Sequence, residues 1–229
     1  MIIISDLLGL VYPLVCPVCG KSLFRGERSL CMKCYHHLPR SRFEHDDDNP
    51  AARVFWGRVP LTRVHAAFLY NKGNAIQKLI HEFKYRGHKD IGLFLGRELG
   101  HDLSAIEIFN DLDMIIPIPL HPKKKKKRGF NQSEIIAQGI TEVIKVPLKT
   151  DLLFRRAFTS TQTRKSKYDR WQNVEHIFQL KDPEVLEGKH VLLVDDVITT
   201  GATMEACIQV LLEVEGVRVG VAAAGFTVH

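Results

Sequence analysis

Apolar positions along the chain follow two rhythms. Ala75, Ile76, Leu79, Ile80 and Phe83 fall at helical spacing and predict an amphipathic helix running into Phe83-Lys84-Tyr85-Arg86-Gly87. A second helix is expected from Ile91 to about Leu103. A third carries Ile135, Ile136, Ile140, Val143 and Ile144, with Asn131 or Ser133 as its cap. A fourth runs from Met204 to Val214. Shorter apolar runs read as strands: 64–70, 148–154, 176–180, 191–194 and 217–224. Met114 to Ile118, ending among prolines, reads as a buried strand meeting a loop. Strands alternating with helices imply a parallel sheet with right-handed crossovers, so the expected class is α/β. No internal repeat is visible.

Two polar stretches break this pattern. Residues 40–50 are polar and end in Pro50, which reads as a linker. Residues 155–173 are basic and lack apolar periodicity. The expected organisation is a small module over residues 1–40, a linker over 41–63, and one α/β domain over 64–229. A length of 229 residues suits one medium domain with an appendage. The net charge of +6 favours anionic partners, either phosphate-bearing small molecules or nucleic acid. No apolar run is long enough to span a bilayer, so no membrane insertion is expected. The apolar start has no basic region and is interrupted by Asp6 and Pro13, and Val15 before Cys16 spoils a lipoprotein motif. It is read as no signal peptide, and the expected location is the cytoplasm.

Four of the five cysteines form two pairs, Cys16-Pro-Val-Cys19 and Cys31-Met-Lys-Cys34, while Cys207 stands alone. In a chain without an export signal, two such knuckles read as a structural zinc site, because four thiolates complete a tetrahedral shell. His36 and His37 follow the last knuckle and offer substitute ligands. Reduced thiols or a transient redox pair are the other readings of the same spacing.

The segment Val191-Leu-Leu-Val-Asp-Asp-Val-Ile-Thr-Thr-Gly-Ala-Thr203 carries the most chemistry. It reads as a buried strand ending in two adjacent carboxylates, followed by a small-residue turn that opens a helix. Backbone N–H groups of the turn and the hydroxyls of Thr199, Thr200 and Thr203 suit a phosphate. Ionised Asp195 and Asp196 suit vicinal hydroxyls. Together they describe a site for a ribose 5-phosphate; no Gly-Lys-Ser/Thr follows, so it is not a Walker loop.

This segment closely resembles the phosphoribosyl pyrophosphate (PRPP) loop of type I phosphoribosyltransferases. Its neighbours narrow the resemblance to the ComF family, which carries a four-cysteine zinc finger, Lys-Tyr-x-Gly, Pro-x-Pro-Leu and Arg-Gly-Phe-Asn-Gln in that order. Here these are Cys16 to Cys34, Lys84 to Gly87, Pro117 to Leu120, and Arg128 to Gln132. A later family pattern is similar to Arg156, Thr161, Gln162, Arg170, Asn173 and Phe178. That pattern also resembles the transferase half of glutamine PRPP amidotransferases, but Cys is not at position 2 and no glutaminase segment is present.

The resemblance implies that Asp195 and Asp196 contact the ribose 2- and 3-hydroxyls, with Mg2+ shared between sugar and diphosphate. It implies that Val194 to Thr203, with Thr199, Thr200, Gly201, Ala202 and Thr203 at the 5-phosphate, form the PRPP site. Pro117, Ile118, Pro119 and Leu120 match the position of a pyrophosphate loop, and Arg128, Gln162 and Arg170 join the substrate contacts. The basic stretch 155–170 lies where such enzymes have a loop that closes over the site and excludes water; a plain surface loop is the other reading.

The run Lys123 to Arg128 reads as a phosphate-binding rim, a nucleic-acid track or a solvated loop. Phe130 beside it reads as a hydrophobic staple or a base-stacking platform, and Cys207 as core packing. The resulting expectation is a ComF-type phosphoribosyltransferase-like protein that binds PRPP and Mg2+, transfers phosphoribosyl to an unknown acceptor and is linked to DNA uptake. The alternative is a non-catalytic PRPP-sensing or single-stranded-DNA-handling module. Single-stranded DNA and other competence proteins are the expected partners beyond PRPP.

Overall fold

The computed structural model describes residues 14–156 and 177–228. Four strands form one parallel sheet: β1 (Val64–Tyr70), β2 (Met114–Pro117), β5 (His190–Ile198) and β6 (Arg218–Thr227), in the order β1-β6-β5-β2. Alternation along each strand sends side chains to two cores. Leu192, Val194, Ala222 and Ala224 face one side, whereas Val191, Leu193, Val221 and Ala223 face the other.

The first face is covered by α3 (Ala75–Arg86), α4 (Lys89–Ser104) and α6 (Gln132–Ile144). Helix α3 starts where the Asn74 side chain accepts from the Gln77 N–H at 2.9 Å, and it buries the expected stripe Ile76, Leu79, Ile80 and Phe83. Helices α4 and α6 pack backbone against backbone. A Cβ at Gly96 would lie 2.1 Å from the Ile136 carbonyl oxygen, and one at Gly139 would lie 2.4 Å from the Leu93 oxygen. The second face is covered by α7 (Ala202–Leu211) and by residues 43–55 around the one-turn helix α2 (Pro50–Arg53).

The stretch expected as a linker therefore packs into the second core. Asn49 caps α2 through the Ala52 N–H at 3.0 Å, Pro50 occupies its first turn, and Ala51, Ala52 and Phe55 are buried. Asn-Pro punctuates the chain here by starting a helix, not by ending structure. The N-terminal module, with α1 (Met32–His36), docks on the first core: Cys16, Leu30, Cys31 and Leu38 share it with α3 and α4. Tyr35 meets Phe94 edge-on at 6.0 Å, and Arg40 pairs with Glu98.

Three local expectations change. Residues 148–154 do not make one strand: Leu148 forms a lone parallel bridge to Ile115, a turn intervenes, and β3 is Leu153–Arg155. Strand β3 pairs antiparallel with β4 (Phe178–Leu180), a small second sheet beside α7. The lysine run is helical: α5 spans Pro122–Arg128, with proline in its first turn, the His121 side chain accepting from the Lys123 N–H, and Gly129 closing its end at φ +81°. Five consecutive lysines remain exposed there because nothing apolar draws a face inward.

Candidate functional site

At the carboxyl edge of the sheet, β5 leads through Thr199 and Thr200 into α7, whose N-cap is Gly201. Open parallel sheets present their ligand crevice at this edge. Gly201 has no side chain with which to cap the helix, so the first-turn N–H groups face the crevice uncapped. Two constraints demand glycine there: φ is +72°, and a Cβ would sit 2.7 Å from Val54 Cγ1 and 2.9 Å from Phe55 Cε1. The crevice is a cavity of about 390 Å³, lined by Tyr70, Lys84, Lys124, Asp195, Asp196 and the turn from Val197 through Met204.

The turn is braced from behind by residues the sequence offered as linker. Arg58 donates to the carbonyls of Val54 at 3.0 Å and Thr200 at 3.1 Å, and it pairs with Glu205 on α7. No motif marks Arg58; the Asn49-Pro50 cap was the available sign that this segment is ordered.

The two carboxylates have different surroundings. Asp195 Oδ1 accepts from the Ser133 hydroxyl and from the Asp196 N–H, each at 2.8 Å. Burial, then the neighbouring Asp196 charge, pushes Asp195 up to about 7, against the pull of Ser133, the Asp196 N–H and Lys84. Asp196 Oδ2 instead meets Lys84 Nζ at 2.7 Å. Asn131 rather than Ser133 caps α6, through the Ser133 N–H at 3.3 Å, which leaves the Ser133 hydroxyl for Asp195. The sequence offered Ser133 only as a helix cap, Lys84 only as part of the Lys-Tyr-x-Gly motif, Lys124 only within the lysine run and Tyr70 only as the end of a strand.

Other expected residues lie nearby without lining this cavity. Ile118 N–H donates to the Val194 carbonyl at 2.9 Å, and Asn131 Nδ2 donates to the Ile118 carbonyl at 3.0 Å, which places the 117–120 loop beside the end of β5. Pro117, Pro119 and Leu120 face a neighbouring depression shared with Lys125, Lys126, Phe154 and Arg155. Arg128 donates to Gln132 Oε1 at 2.8 Å and lies over the Tyr85 ring. Phe130 stacks on Phe83 at 5.4 Å and is buried in the first core, so it presents no free platform for a base. Cys207 is buried in the second core, as expected. Gln162 and Arg170, with Thr161, Asn173 and most of the basic stretch, lie outside the described residues.

The four knuckle cysteines converge, with their sulfurs all within 4.8 Å of one another and Cys19 Sγ 3.7 Å from Cys31 Sγ. A tetrahedral ion with Zn–S of about 2.3 Å separates its sulfurs by about 3.8 Å, so the donor set has the size and softness for zinc. Burial raises the Cys16 thiol, but backbone groups of Cys31, Cys19 and Val18 outweigh it and bring it down to about 7. Cys34 is pushed upward by burial and by the adjoining sulfurs, a crowding that a central cation relieves.

Residues 126–224 match the phosphoribosyl transferase domain family. A carboxylate pair on a central parallel strand, followed by an uncapped helix start, is the arrangement of a type I phosphoribosyltransferase-like domain. With its four-cysteine module ahead of that domain, the chain is similar along most of its length to proteins named for DNA utilization and competence. It is 28% identical to the DNA utilization protein YhgH of Escherichia coli (strain K12) over 201 residues, covering 86% of this chain and 84% of that protein. It is 26% identical to the competence protein ComFC of Bacillus subtilis (strain 168) over 200 residues, covering 87% of this chain and 72% of the relative. A solved glutamine PRPP amidotransferase from B. subtilis, complexed with ADP and GMP, is similar at 24% identity and a TM-score of 0.43 over 62% of this chain. The chain spans 30% of that longer protein. Among the described residues no helix is long and apolar enough to cross a membrane.

Proposed function

We propose that the crevice binds PRPP together with Mg2+ and transfers its phosphoribosyl group to an acceptor, in a protein that serves DNA uptake. The observation that carries this reading is the adjacency of Asp195 and Asp196 to the uncapped turn Thr199–Thr203 in one cavity of about 390 Å³. The turn's N–H groups and threonine hydroxyls hold the 5-phosphate, and the two carboxylates accept from the ribose hydroxyls. Asp195 and Asp196, as hard oxygen donors, would hold Mg2+, which supplies charge neutralisation for a departing diphosphate. Lysines at the rim, such as Lys124, add positive charge where the leaving group's negative charge develops. Pro117 to Leu120 and Arg128 bind the diphosphate end, and Gln162 and Arg170 complete the substrate contacts.

The cysteine cluster binds one structural zinc ion in an N-terminal module, and residues 41–63 pack with 64–229 as one catalytic domain. The protein acts in the cytoplasm. The relatives named for competence and DNA utilization support the link to DNA uptake. Calorimetry with PRPP, with and without Mg2+, tests the central reading: Mg2+-dependent binding is expected, and no binding in either condition overturns it.

A second reading has its own support. Lys123 to Lys127 stand exposed on α5, and Lys124 reaches the crevice rim. A strip of point charges suits the phosphates of single-stranded DNA, as a DNA-handling surface beside a PRPP-sensing site without turnover. Acceptor-free binding without product release over long incubation would favour it.

A further inference from the structure

Lys84 forms an ion pair with the buried Asp196. Its ammonium stands 2.7 Å from Asp196 Oδ2, and both side chains are largely withdrawn from water, at 21% and 13% exposure. The backbone that carries it is fixed: α3 is capped at Asn74, ends at Gly87, and buries Ile76, Leu79, Ile80 and Phe83. The four-carbon stem is not fixed in this way, and it has somewhere to go. Lys84 lines both the crevice and a second cavity of about 650 Å³, whose other lining residues include Tyr70, His81, Tyr85 and the acidic Glu82.

We propose that Lys84 is an internal counter-ion that competes with a divalent cation for Asp196. With the crevice empty, the ammonium neutralises the buried carboxylate, and a divalent ion must displace it to bind. Once displaced, it swings toward the anionic ligand, which compensates the lost pair. Divalent-ion binding is therefore weak in the free protein and strong in the presence of PRPP, and Lys84 is the residue that couples the two. This inference rests on the reading of the crevice as the PRPP and Mg2+ site. Lysine suits the role because its compact charge sits on a flexible stem, whereas a planar guanidinium would hold the carboxylate in a fork.

The test uses the full chain with its zinc retained and Mn2+ as probe, titrated by the electron paramagnetic resonance signal of free Mn2+. K84M is expected to bind Mn2+ about tenfold or more tightly without PRPP, the size of one charge-assisted contact removed. With Mn2+ chelated by PRPP in protein-free controls subtracted, the enhancement of Mn2+ affinity by PRPP should shrink by a similar factor, as reciprocal coupling requires. K84R, which keeps the charge, should retain weak Mn2+ binding. Unchanged Mn2+ affinity in K84M overturns the proposal. D196N tests the location: Mn2+ binding that survives D196N places the ion elsewhere and overturns the proposal too. Failure of the wild-type protein to bind PRPP would instead overturn the underlying reading, while the PRPP-free comparison of K84M with the wild type still decides whether Lys84 competes for the ion.

Discussion

The Ser133 hydroxyl, at the start of α6, donates to Asp195 Oδ1 at 2.8 Å from 62 positions away in the chain. It orients one carboxylate of the pair while Asn131 takes over the capping of the helix. This division of labour between two adjacent polar residues leaves the Asp195 carboxylate held on one oxygen. Replacing Ser133 with Ala removes that donor and keeps the cap. A hydrogen bond to a charged group contributes about 1.5–3 kcal/mol at most. S133A should therefore weaken PRPP binding several-fold by calorimetry, with the melting temperature nearly unchanged. Full affinity in S133A would mean that Asp195 needs no such orientation.

Removing both charges has a larger effect. D195N/D196N keeps side-chain shape but removes the negative charge that the ribose-hydroxyl and Mg2+ contacts need. PRPP affinity should fall at least about tenfold, with zinc content unchanged by elemental analysis. Affinity equal to the parent's would show that the turn from Thr199 to Thr203 binds without the acidic pair.

Gly201 offers a test of how the turn is braced. In G201A the added methyl would meet Val54 and Phe55 at under 3 Å from a backbone with φ +72°. Overpacking combined with a positive φ should cost about 1–3 kcal/mol in denaturant unfolding. The shift should appear as a lower midpoint with the same slope.

Zinc removal probes the module. One zinc per chain is expected, and a strong chelator should abolish hydrogen-exchange protection over residues 14–40. Because Cys16 and Cys31 share a core with α3 and α4, protection on those helices should weaken as well, while β5 and β6 stay protected. Protection over 14–40 that persists in zinc-free protein would refute a structural metal.

The acid limb of stability carries a marker far from the crevice. The His190 N–H, then the Lys189 ammonium, holds Asp113 below the ordinary carboxylate range. A lowered folded-state value means stability that is present above the unfolded value near 3.8 and is lost as pH falls through the folded one. D113N should lower stability at neutral pH and flatten the decline below about pH 4. Parallel pH curves for D113N and parent would show that the contact does not contribute.

Much of this protein was determined by local sequence. The stripe Ile76, Leu79, Ile80, Phe83 announces a helix, because its period matches one buried face. Paired Cys-x-x-Cys knuckles and the thirteen residues ending at Thr203 are contiguous, so their chemistry was readable from spacing alone. Even the ends of α5, Pro122 and Gly129, are local signals, although a run of lysines hid them. What only tertiary structure decided is which distant residues complete the site. Arg58 reaches Thr200 across 142 positions and Ser133 reaches Asp195 across 62. Neither lies in a pattern with its partner, because the strand order β1-β6-β5-β2 brings them together and periodicity carries no information about strand order. The apparent linker became a brace for the same reason: Phe55 is buried by the sheet and by Gly201, and neither is its neighbour in sequence.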